Sequence, residues 1–299
     1  MLIRPWIQFG LGSLVVVCAD PLYAQQAAPS AKPVPVAAAS AVATPHATTD
    51  AAKQALQAGD AEQVRAALET LAMSGSGSGA GESAANAVVA RLRRGLPPQL
   101  IEQAIDALVL LNRPSAGPAL LELTQHRRTQ VRIKAISALG ALQIRSAQSA
   151  LLYALDDPSG EVRSSAVSAL TRVGNARALP ALLTAAERGV PGAWQASAQL
   201  VQPKDLKQLF ERARTADVVD VRAALDTLLA RNNLPSESKL RTVAWVRARG
   251  TASARSCLLD WLAALPVNAQ ANMRSALLKA VSELDREHPE HLAAREVTQ

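Results

Sequence analysis

Three stretches stand in one register: LIEQAIDAL from Leu100 to Leu108, VRIKAISAL from Val131 to Leu139, and VRSSAVSAL from Val162 to Leu170. Each begins 31 residues after the one before. Apolar residues hold the first, fifth, eighth and ninth places of each, which is one face of an α-helix. The phase continues outward. GAWQASAQL starts at Gly192, 30 residues on, VRAALDTLL at Val221 after 29, and ARSCLLDWL at Ala254 after 33. Upstream, VRAALETLA begins at Val64, 36 residues before Leu100, and the alternating Ser/Gly insert Ser74 to Gly81, which reads as a flexible loop, accounts for the surplus.

Each unit carries a second helical run after a short turn, as in SAQSALLYAL from Ser146 and NARALPALLTAA from Asn175. Ser115, Ser146 and Asn175 stand where a side-chain oxygen can accept from the free amides of a helix start, and Asp157-Pro158 reads as an N-cap and first-turn pair. A hairpin of about 30 residues cannot bury its apolar face alone, so neighbours must supply the other half of the core. The reading is an all-α fold, an α-solenoid of about seven helical hairpins over residues 51–292. Ala104, Ala107, Ala135, Ala138, Ala166 and Ala169 let neighbouring helices approach closely.

The pattern Val-Arg-x-x-Ala-x-x-Ala-Leu, followed by a second helix ending near Asp-Asp-Pro, resembles the HEAT repeats, in particular the short subclass first associated with phycobilisome lyases. The resemblance covers most of the chain and is sharpest from Leu100 to Gly189. It implies a protein-binding scaffold whose second helices line a concave face. It also implies that Arg65, Arg132, Arg163, Arg222 and Arg255, in the second place of their units, pair with acids of neighbouring units, for which Asp156, Asp157, Asp217 and Asp220 are placed. Ile101 and Ala193 interrupt that ladder.

Outside the array the chain changes character. Of 299 residues, 49% are hydrophobic, 19% charged and only 3% aromatic, which suits closely packed helices and excludes a disordered chain. Residues 1–24 carry Arg4, an apolar stretch from Ile7 to Val17 and small-residue sites ending at Ala19 and Ala24, the grammar of a secretory signal peptide and hence of a periplasmic or otherwise exported protein. Cys18 raises a lipid anchor, which Val17 just before it disfavours. Residues 25–50 hold nine Ala, four Pro and two charges, a disordered linker in composition. Residues 293–299 read as a tail.

A second arginine set, Arg113, Arg145 and Arg177, falls at the turns within successive hairpins, spaced 32 and 32. Stacked helices would set these cations about 10 Å apart along one edge. Arg91, Arg93 and Arg94, then His126, Arg127 and Arg128, form basic clusters read as helix C-termini. The net charge of +7 invites a nucleic-acid reading, a solenoid resembling the HEAT-like DNA glycosylases. The spread of that charge, the shortage of aromatics for base stacking and the export signal all oppose it. Trp261, in the eighth place, reads as core, whereas Trp194, in the third, points off the core stripe and is a candidate binding anchor. Trp245 has no assignable role. Cys257, in the fourth place, is expected to be partly exposed, and no His lies near it in sequence to activate it.

No catalytic or metal-ligating set emerges. HEAT-like metal hydroxylases carry repeated His-Glu pairs that this sequence lacks, and Pro289 keeps His288 and His291 off one regular helix face, which argues against zinc. The expectation is a non-enzymatic scaffold or adaptor of the bacterial cell envelope, without cofactor, binding an acidic protein partner. Its candidate contact residues are Trp194, Arg113, Arg145 and Arg177, with Gln125, Arg128, Lys207 and Arg212 on the second helices. A phycobilin-lyase-like enzyme is the other alternative, although no active-site residue carries it.

Overall fold

A computed structural model describes residues 45–73, 78–265 and 271–293. The signal segment, residues 25–44 of the linker and residues 294–299 of the tail lie outside the described residues.

The described residues form helices and turns, without a strand among them. In chain order the helices are α1 (Pro45–Ala58), α2 (Ala61–Met73), α3 (Ser78–Arg94), α4 (Pro98–Leu111), α5 (Gly117–Leu123), α6 (Thr129–Ala141), α7 (Gln148–Ala154) and α8 (Gly160–Val173). They continue with α9 (Leu179–Glu187), α10 (Ala193–Leu200), α11 (Leu206–Arg212), α12 (Val218–Ala230), α13 (Ser236–Arg247), α14 (Ala252–Ala264), α15 (Ala271–Glu287) and α16 (Glu290–Ala293). The seven sequence units become the hairpins α2/α3 through α14/α15. Each first helix packs on the next, from α2 through α4, α6, α8, α10 and α12 to α14. The second helices α3, α5, α7 and α9 each pack on the first helix of the following unit. The fold is an α-solenoid.

Several boundaries differ from the sequence reading. α1 begins at Pro45, six residues inside the stretch assigned to the linker. Proline suits a first helical turn, and Ala52 and Leu56 bury themselves in the core, an apolar face that the Ala/Pro composition hides. The Ser/Gly insert also contributes to structure: Ser78 to Gly81 open α3, and only residues 74–77 fall outside the described residues. The second helices α5, α7, α9 and α11 are short and enter through 3-10 turns. Asn175 caps its turn by accepting from the Arg177 backbone N–H at 2.9 Å, whereas Ser115 and Ser146 lie inside their turns, which have no side-chain cap. Asp157 acts two residues ahead of the N-cap of α8, accepting from the Ser159 N–H at 2.8 Å.

The buried stripe is not constant along the array. α8 buries places one, five, six, eight and nine (Val162, Ala166, Val167, Ala169, Leu170), while α14 buries one, four, five and eight (Ala254, Cys257, Leu258, Trp261). At 3.6 residues per turn, the centre of the buried arc has rolled by roughly 60°. Place four is therefore half-exposed at Lys134 and Ser165 but buried at Ala224 and Cys257. This roll overturns the expected exposure of Cys257, whose thiol burial pushes up to about 12. No helix of the described residues is long and apolar enough to cross a membrane.

Candidate functional site

The arginine that recurs at place two of the repeat builds joints of the array. Arg132 donates from Nε to Asp157 Oδ2 at 2.9 Å and from an Nη to Oδ1 at 3.0 Å, a two-pronged pair with side chains only 13% and 12% exposed. Its other Nη donates to the His126 carbonyl at 3.0 Å. Arg163 repeats the second half of this arrangement, donating to the carbonyls of Asp157 at 2.8 Å and Pro158 at 3.1 Å. Arg222 meets Asp226 and Asp260, Arg255 meets Asp285, and Arg65 meets Glu62. Of the four acids expected to pair with the ladder, Asp157 alone does so. Asp156 takes Arg188 at 2.7 Å, and Asp217 accepts from the Val219 N–H, which holds its carboxyl below the usual range.

Where the ladder breaks at Ala193, a cleft of about 660 Å³ opens. Its rim is the α9–α10 turn, where Gly189 and Gly192 take positive φ of 73° and 76°. Trp194 and Gln195 of α10 line it, with Arg212 at the end of α11 and Asp220 on α12. Arg212 grips both carboxylate oxygens of Glu187 and donates to Thr184 Oγ1 at 3.0 Å. The hydrogen bonding of Arg212 to Glu187 holds the Glu187 carboxyl below its usual range and raises the Arg212 guanidinium.

The equivalent place two units earlier carries a smaller groove of about 430 Å³ between the α5–α6 turn and α7. Arg132 and Asp157 occupy its wall, which explains the smaller volume. Gln125, His126 and Arg127 border it, and Tyr153 of α7 stands over it, 72% exposed. Tyr153 was missed in the sequence reading, although its sister residues 31 places away are the polar Glu122 and Thr184, which marks that position as facing water.

The structure separates the other candidates. Trp194 packs against all three buried clusters of the array, so it is a wedge between core regions as well as a cleft wall. Trp261 is 7% exposed, as expected, and donates from Nε1 to Asp226 Oδ1 at 2.6 Å. Trp245 stacks on Phe210 with centroids 5.4 Å apart and lies 5.0 Å beneath the Arg249 guanidinium. Gln125 and Arg128 are exposed, but they sit in the turn after α5 and not on a second helix. His126 and Arg127 share that turn, whereas Arg91, Arg93 and Arg94 do close α3. Lys207, on α11, pairs with Glu211 at 3.7 Å.

Arg113, Arg145 and Arg177 take different places in their turns. Their spacing of 32 overshoots the repeat of 31, so Arg113 precedes its 3-10 turn, Arg145 opens its own and Arg177 is the middle residue of the third. Each such step turns a side chain by about 120°. Arg145 and Arg177 are exposed and Arg113 is half-buried.

Residues 117–199 match the family of HEAT repeats, so the array carries HEAT repeats from α5 into α10. No curated protein matches the chain. Among solved structures, the complex of CpcE and CpcF of phycocyanin lyase from Nostoc sp. PCC7120 is 20% identical over 86% of this chain and 100% of its own, with a TM-score of 0.43. An engineered protein is 18% identical over 80% of this chain and 96% of its own, with a TM-score of 0.36. A computationally designed self-assembling cyclic homooligomer is 15% identical over 85% and 84%, with a TM-score of 0.15.

Proposed function

We propose that this HEAT-repeat solenoid is a non-enzymatic protein-binding scaffold, exported to the cell envelope, that takes an acidic segment of a partner protein into the grooves along its second helices. The observation that carries this reading is the pair of equivalent inter-unit grooves, one beneath Tyr153 and one walled by Trp194. An exposed aromatic beside a groove supplies contact area at low entropic cost. Arg127, which lines the groove with Tyr153, and the next residue, Arg128, are exposed and carry no ion pair among the described residues, so they remain available to carboxylates. Other arginines near the grooves are paired inside the array, Arg93 with Glu122, Arg188 with Asp156 and Arg212 with Glu187. Export rests on the signal-like residues 1–24. The absence of chemistry from Cys257 follows from its burial and its raised pKa, since the thiolate is the nucleophile.

The test is site-directed photo-crosslinking in the source cells with a C-terminally tagged chain. A crosslinking side chain replacing Tyr153 should attach one envelope protein reproducibly, and the same group replacing the exposed Ser168 of α8 should not. Tyr153→Ala should then reduce capture of that protein while helical content is unchanged. Equal labelling from both positions would remove the groove as the contact surface. Mass spectrometry of the tagged chain's own N-terminus tests export: a start near Gln25 supports it, and an intact Met1 overturns it.

A further inference from the structure

The last described turn gathers three metal-ligating side chains that the sequence pattern set apart. α15 ends at Glu287, and Pro289 stops the helix. His288 and His291 therefore share no regular helix face, as expected. The chain instead folds back, with the His291 N–H donating to the His288 carbonyl at 3.2 Å, and the two imidazoles stack with centroids 5.3 Å apart. Glu290 stands between them. Its Oε1 lies 3.0 Å from His288 Nδ1 and 4.0 Å from His291 Nε2, and one ligand atom from each of the three residues falls within 4.8 Å of the others.

Two further observations concern the two rings. Gly250, in the α13–α14 turn with φ of 61°, leaves room for the His288 ring, since a Cβ there would stand 2.8 Å from Nε2. His291 is only 16% exposed, and its buried Nδ1 has no hydrogen-bond partner, which leaves this ring without the second contact that fixes an ordinary structural histidine.

We propose that His288, Glu290 and His291 form a binding site for a divalent transition-metal ion of the zinc class. Two imidazoles and a carboxylate match the preference of zinc, nickel and copper ions, whereas calcium and magnesium want oxygen donors alone. Zinc bonds of about 2.0–2.2 Å require donors roughly 3.4 Å apart, so binding draws the present spacing in by about 1 Å. Rotation of the exposed Glu290 side chain adjusts its own distances, and the two rings close the remainder by small side-chain rotations of their own. Three protein donors leave a fourth position open to water or to a group brought by a partner.

The test uses the full chain purified without a polyhistidine tag, titrated with Zn2+ by calorimetry and with Co2+ by visible absorption. One ion per chain is expected, with the intense Co2+ bands of a four-coordinate site. Glu290→Gln should weaken binding at least about tenfold, since even outer contacts of metal ligands cost that much. His288→Ala and His291→Ala should each abolish stoichiometric binding, while His126→Ala should leave it unchanged. All four variants are checked for helical content by circular dichroism, and Zn2+ should raise the Tm of the parent chain but not that of His288→Ala or His291→Ala. Absence of saturable Zn2+ binding at millimolar concentration, or binding that survives both His288→Ala and His291→Ala, overturns the proposal.

Discussion

From Pro98 to Glu187 the array is packed with aliphatic and small side chains, and from Ala193 to Glu287 it is packed around aromatics and arginines. In the first region α6 and α8 approach so closely that a Cβ on Gly140 would lie 2.9 Å from the Ala169 Cα. In the second, Phe210, Trp245 and Arg249 form one stack, and Arg222 lies 5.9 Å over Trp261 while Trp261 donates to Asp226. The unit spacing is 31 and 31 in the first and 30, 29 and 33 across the second. The contrast teaches that the register of a repeat can persist while its helices roll. Large side chains fill what exact spacing no longer fills, and place four changes from a wet position at Lys134 to a dry one at Cys257.

That contrast can be broken experimentally, and the largest effect is expected at Cys257. Its thiol, pushed from 9.0 to about 12, has a thiolate population lowered about a thousandfold, so alkylation mapped to its peptide should be negligible in the native protein at neutral pH and complete after unfolding. Rapid native labelling would mean that α14 has not rolled. Next comes Arg132→Ala, which leaves the largely covered Asp157 carboxylate with only the Ser159 N–H and should cost about 2 kcal/mol in denaturant unfolding. Arg163→Ala, losing bonds to carbonyls only, should cost about 1 kcal/mol. Equal costs would show that the acid is not what makes the regular joint strong.

Gly140→Ala sharpens the comparison further. Helix propensity alone favours Ala by about 1 kcal/mol, yet the contact with Ala169 should make the change destabilising, by about 1–3 kcal/mol before that offset. The matching residue of α14, Ala263, is exposed, and Ala263→Gly should cost about 1 kcal/mol by propensity alone. The smallest effect belongs to Glu187. Its carboxyl is depressed by the hydrogen bond from Arg212, so the pair's contribution is present above the ordinary glutamate pKa and is lost as pH falls through the lower, folded value. Both side chains are more than a third exposed, so the loss between wild type and Glu187→Gln across the acid range stays below about 1 kcal/mol.

The array itself was legible because its periodicity is carried by residues that every unit needs. Leu108, Leu139 and Leu170 are fully buried as their places predict. Helix roll was not legible, because it is set by the neighbour's bulk and not by the helix's own pattern, and Cys257 was misplaced for that reason. The turn arginines fall at different places of their turns because their spacing is one residue longer than the repeat, and Gln125 and Arg128 fall beyond the end of α5 at Leu123. Tyr153 could have been found by comparing Glu122, Tyr153 and Thr184 in register. The approach of His288 to His291 could not, since it depends on how the chain turns after Pro289 and on space left by Gly250, 38 residues away in sequence.

The reach of Arg132 and Arg163 back to carbonyls six residues upstream has a consequence for how such a chain can grow. The 31 residues from Val131 contain Arg132, its acid Asp157 and the Asp157-Pro158 turn that the next arginine, Arg163, clasps, so a duplicated copy would bring a joint for the unit that follows it. A copy taken from the unit at Gly192 would arrive unclasped, with Ala193 where the arginine belongs. Lengthening by whole units thus keeps the arginine joint when the middle of the protein is copied and loses it when the unit of Trp194 is.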